Sequence, residues 1–103
     1  MKAQLVSLFV LSVIAASAQA DAGMELAQKK NCLACHSVDH KVVGPAYKDV
    51  AAKYAKDKGA VEKLSAKIIK GGSGVWGAVP MPPNPRVSPE EAKQLANWVL
   101  TTK

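Results

Sequence analysis

Two thiols three positions apart with a histidine directly after the second, Cys32-Leu33-Ala34-Cys35-His36, form the signature for covalent attachment of a c-type haem. The two sulfurs would add across the two vinyl groups of one porphyrin edge, and their spacing sets them one helical turn apart. His36 would then fall under the iron, where an axial imidazole is one of the levers by which a protein sets what haem iron does. Two other uses of these residues stay open on residue type alone. A redox dithiol would want a strand-helix context that the surrounding sequence lacks. A zinc centre would draw on Cys32, Cys35, His36 and His40, but a histidine adjoining a cysteine is poor geometry for one tetrahedral ion, and zinc motifs usually separate their pairs more widely.

The second axial position needs another donor, and Met81 is the candidate, stiffened by Pro80, Pro82 and Pro83. A lone loop methionine is more often an apolar anchor. The upstream motif changes its meaning, because a thioether opposite an imidazole raises the potential of haem iron. Met24 lies in a helical stretch just before Cys32, where packing is its task. His40, four residues past His36, stays on the proximal side and reads as an exposed histidine.

Residues 1–20 read as an export signal, with a basic start at Lys2, an apolar stretch from Leu5 to Ala16, and the ending Ala18-Gln19-Ala20 that suits cleavage. That stretch is shorter than the roughly 20 residues of a spanning helix, so the expectation is a cleaved leader and no membrane anchor. The domain is then residues 21–103, released into an oxidising compartment where free thiols rarely persist. A domain of this size has a marginal apolar core. Its large aromatics are only Tyr47, Tyr54, Trp76 and Trp98, and a buried porphyrin would supply the missing apolar volume.

The whole chain carries 14 Lys plus Arg against 8 Asp plus Glu. Removing Lys2 with the leader leaves a formal +5, enough to steer towards an acidic partner or anionic surface in a salt-dependent way. Lys48, Lys53, Lys56, Lys63, Lys67 and Lys70 read equally well as solvated helix faces. Export and the lack of a basic run interleaved with aromatics exclude nucleic acid as a partner.

Four helical segments and no strand are expected. Ser88-Pro89-Glu90-Glu91 offers an N-cap serine, a proline at the first helical position and a glutamate three residues past the cap. Ala92, Leu95, Ala96, Val99 and Leu100 follow at helical spacing, with Trp98 beside them. Tyr47, Val50, Ala51 and Tyr54 keep the same period up to Gly59, and Val61, Leu64 and Ile68 keep it up to Gly71-Gly72. A further segment covers Ala22 to Lys30. Between Gly71 and Ser88 the glycines and prolines predict loop, yet Val75, Trp76, Val79 and Met81 are apolar and need something apolar to lie against.

Cys32-Leu33-Ala34-Cys35-His36, Val43-Gly44-Pro45-Ala46, Gly74-Val75-Trp76-Gly77 and Pro80-Met81-Pro82-Pro83-Asn84 together resemble the short bacterial class I cytochromes c, over essentially all of residues 21–103. The resemblance implies an all-α fold, about four short helices wrapped round one covalent haem c with His36 and Met81 as axial ligands. It implies that Pro45 presents its carbonyl to the other ring nitrogen of His36, which tunes the iron. Trp76 would reach a haem propionate, and Asn84 would hydrogen-bond near the Met81 sulfur. Lys67 is an optional propionate neighbour; Pro85-Arg86 departs from the commonest form of the family. The implied function is a monomeric periplasmic electron carrier, not an enzyme, taking electrons from a membrane-bound reductase and passing them to nitrite reductase or a terminal oxidase. The alternative is a haem-based catalyst or gas sensor with an open distal site.

Overall fold

Ser88 starts helix α4 (Pro89–Leu100) with a reciprocal cap in which its hydroxyl accepts the Glu91 N–H at 3.1 Å and its own N–H donates to Glu91 Oε1 at 3.0 Å. Two of the helix's orphan donors are thereby satisfied. Lys30 adds a clamp from the other side of the chain, its Nζ lying 3.3 Å from Glu91 Oε1 and donating to the Arg86 carbonyl at 3.0 Å. Ser88→Ala should cost about 1 kcal/mol, measured by denaturant titration. The Ser88 backbone N–H, and after it the Lys30 ammonium, hold the Glu91 carboxyl below the ordinary carboxylate range. A lowered folded value gives stabilisation that is complete at neutral pH and lost as the pH falls and the carboxylate takes up its proton. Glu91→Gln should therefore flatten the acid side of the stability profile.

The computed structural model describes residues 10–103. Residues 1–9 of the expected leader lie outside the described residues. Helix α1 (Val10–Lys29) runs through the expected cleavage position after Ala20, longer than the segment expected from Ala22, because the alanine-rich stretch contains no residue that breaks a helix. It ends where Asn31 turns left-handed at φ 63°, a conformation asparagine tolerates well. A single 3₁₀ turn, Cys32–Ala34, follows.

Helix α2 (Tyr47–Lys53) stops six residues before Gly59, sooner than its periodicity predicts. Asp57 supplies the reason: its carboxylate accepts the Gly59 N–H at 2.8 Å and meets Lys63 Nζ at 2.7 Å, which builds the turn that launches α3 (Ala60–Lys70). Ala92, Leu95, Ala96 and Val99 form the buried stripe of α4 that the spacing predicts. With Trp98 they join Ala27 of α1, Tyr47 and Val50 of α2 and the loop residue Val87 in the core. Trp98 lies so close to Gly23 that a Cβ there would overlap its ring, so the indole packs directly on the backbone of α1.

The expected loop between Gly71 and Ser88 is corrected in part. It holds a small antiparallel hairpin, β1 (Gly72–Gly74) with β2 (Gly77–Met81), pairing Gly72 with Met81 and Gly74 with Gly77 around an irregularity. Gly72, Gly74 and Gly77 all take positive φ, which side-chain-bearing residues rarely adopt. Both strands are edges, so Pro80 can sit in β2 without depriving a central ladder of a donor. The architecture is thus four helices with one short ribbon, and among the described residues no helix is long and apolar enough to cross a membrane.

Candidate cofactor site

The 3₁₀ turn gathers the sequence motif on one side of the chain. Cys35 N–H and His36 N–H both donate to the Cys32 carbonyl, at 3.2 and 3.1 Å, and this brings Cys32, Cys35 and His36 together. All three line a cavity of about 270 Å³, along with Pro45, Trp76 and Met81. Six of the seven residues singled out from sequence therefore share one concavity, although they come from four separate stretches of chain. Asn84 lies outside the lining. Its amide donates to the Ile68 carbonyl at 2.8 Å and the Pro82 carbonyl at 3.4 Å, while its backbone N–H donates to the Ile69 carbonyl at 3.0 Å. Asn84 thus ties the segment after Met81 to the C-terminal turn of α3. Gly71 completes that junction, since a side chain at this position, φ 73°, would overlap the Met81 backbone carbonyl.

His36 Nδ1 stands 2.8 Å from the Pro45 carbonyl oxygen. A carbonyl only accepts, so Nδ1 carries the proton and neutral His36 keeps its lone pair on Nε2. Tyr47 stacks on the same imidazole, with ring centroids 4.9 Å apart and planes 21° apart. Its edge packs on Trp98, with ring centroids 5.3 Å apart and planes at 73°. Burial, and after it the neighbouring Cys32, raise the Tyr47 phenol far above its ordinary value, so it stays protonated. Burial likewise pushes the Cys32 thiol up. Both cysteines are unpaired and half-buried.

Leu64, Ile68, Leu95 and Val99 supply apolar walls, and the exposed Val43, Val75, Trp76 and Val79 rim the opening. Lys53 holds its ammonium 5.6 Å from the centre of the Trp76 ring. His40 turns outward to Ser37 and Asp39, at 3.2 and 3.3 Å. No group of three or more His, Cys, Asp and Glu side chains among the described residues forms a metal cluster. Sequence reasoning does not single out Tyr47 or Gly44 as site residues; their places within two residues of Pro45 are the available signal.

The chemistry of this donor set fits haem c. Two free thiols meet an imidazole whose Nε2 lone pair is available, a thioether shares the cavity, and the walls are hydrocarbon. The cytochrome c family model matches residues 20–103. Cytochrome c-552 of Nitrosomonas europaea is 52% identical over 103 residues, covering 100% of both chains. Cytochrome c-551 of Azotobacter vinelandii is 57% identical over 83 residues, covering 81% of this chain and 100% of its own. The crystal structure of the wild-type Nitrosomonas europaea cytochrome c552 superposes with a TM-score of 0.76 and 59% identity, over 78% of this chain and 99% of that one.

Proposed function

Because this chain belongs to the cytochrome c family, as a small class I monohaem member, we propose that it is a periplasmic electron carrier whose haem is held covalently by Cys32 and Cys35 and axially by His36 and Met81. Haem c supplies a one-electron iron couple. The residues do the rest. Pro45 orients His36 and, by accepting its Nδ1 proton in a hydrogen bond, raises the basicity of Nε2. Asn84 and Gly71 fix the backbone that delivers Met81 to the cavity. Trp76, on the cavity lining, offers its indole N–H to a propionate, and Leu64, Ile68, Leu95 and Val99 exclude water.

Assigning both axial positions to side chains leaves no place on the iron for a substrate, which is why we read a carrier and not an enzyme. The observation that carries the reading is the pairing of the His36–Pro45 bond with Met81 on the same cavity. The family match begins at residue 20, which supports cleavage of residues 1–20 and a domain of 21–103. The exposed apolar rim of Val43, Val75, Trp76 and Val79, on a domain left with a formal net charge of +5 once Lys2 goes with the leader, suits brief docking with an acidic redox partner. Membrane-bound reductases as donors and nitrite reductase or a terminal oxidase as acceptors fit this reading, with the carrier acting as a monomer. Carbon monoxide added to the reduced protein at neutral pH tests it: refusal is expected, whereas rapid, complete binding would favour a catalyst or gas sensor with an open distal site.

A further inference from the structure

We propose that Tyr47 and Gly44 are positioning residues that set the angle of the His36 imidazole plane. The inference rests on His36 being an axial ligand and concerns what fixes its rotation. The terminal torsion of histidine is broad, and a carbonyl accepts hydrogen bonds over a wide range of directions, so the Pro45 contact alone leaves the ring free to swing. Tyr47 narrows that range by stacking on the imidazole at 4.9 Å and 21°. Gly44 narrows it differently. A Cβ at this position would stand 2.5 Å from His36 Cε1, 2.9 Å from Nδ1 and 3.0 Å from Nε2, so the ring occupies the space that any side chain would take.

Both residues are tied to the backbone on either side of the ligand. Gly44 N–H donates to the Cys35 carbonyl at 2.7 Å and Tyr47 N–H donates to the Ser37 carbonyl at 2.9 Å. The loop from Ser37 to Ala46 therefore closes on His36 itself. Tyr47 is held in turn by the Trp98 edge at 5.3 Å, so the ring angle is registered to the α1–α4 core.

An imidazole is planar, and its angle decides which of two iron orbitals holds the unpaired electron of the oxidised protein. Proton NMR of the four haem methyl groups reads that angle. Adding cyanide, a cylindrically symmetric ligand, in place of Met81 leaves His36 as the only axial group with a plane. In the cyanide adduct, Tyr47→Phe should keep the parent's methyl shifts, because the stacked ring survives. Tyr47→Leu and Gly44→Ala should move individual methyl shifts by several ppm or change their order. Tyr47→Met, whose flexible chain refills the space without a plane, replaces Tyr47→Leu should that variant not fold. Haem-bearing variants that lack the ring or carry the added Cβ and yet keep the parent pattern would overturn the clamp. A parent protein that binds no haem would instead overturn the function proposed above, and the two failures are told apart by its absorption spectrum.

Discussion

Met81→Ala should lower the reduction potential by a few tenths of a volt and make the reduced protein bind carbon monoxide. Axial ligands spread haem potentials over about 0.8 V, and thioether ligation lies on the raising side of that range. The variant should still fold, because the backbone at Met81 is anchored independently of its side chain. Gly71 lies against the Met81 carbonyl, and Asn84 grips the carbonyls of Ile68 and Ile69. If Met81 is the distal ligand proposed above, the change removes that ligand and little else. A redox titration of parent and variant, paired with carbon monoxide addition, measures both effects. An unchanged potential would remove Met81 from the iron.

Trp98→Ala should have the largest effect on stability, about 3–5 kcal/mol, out of a total of roughly 5–15 kcal/mol for a domain. Trp98 is 8% exposed, packs its indole on the α1 backbone at Gly23 and supports Tyr47 edge-on. Its loss leaves a cavity between α1 and α4 where the indole stood. Tyr47 would also lose the wall that holds it against His36. Denaturant unfolding of the haem-loaded protein gives the number, and Trp98→Phe should recover part of it. A change below about 1 kcal/mol would mean that the α1–α4 contact is not the centre of the core.

The parts of this fold that were legible in the sequence are those whose cause is local. The cap at Ser88 and Glu91 is a contact between residues three apart, and the buried stripe of α4 is one helix's own period. The motif from Cys32 to His36 is likewise held by bonds within a single turn. The hairpin from Gly72 to Met81 was hidden because its glycines look like breakers until a partner strand gives their positive φ a use. Asn84 illustrates the limit most clearly. The family resemblance implies a bond near Met81, while the structure sends its amide to Ile68, sixteen residues back, a choice set by how α3 meets the loop. Tyr47 was visible as a core residue of α2, but its stacking on His36 depends on the return of the loop from Ser37 to Ala46. The end of α2 differs from its periodicity for a similar reason, since the Asp57 turn outcompetes a continuing apolar period.

The intact mass of the exported protein, taken before and after exposure to a thiol-alkylating reagent, tests covalent haem attachment most directly. The expected result is residues 21–103 plus one haem, with no mass added by the reagent, because Cys32 and Cys35 are both thioethers. A bare polypeptide that gains two alkyl groups would contradict it.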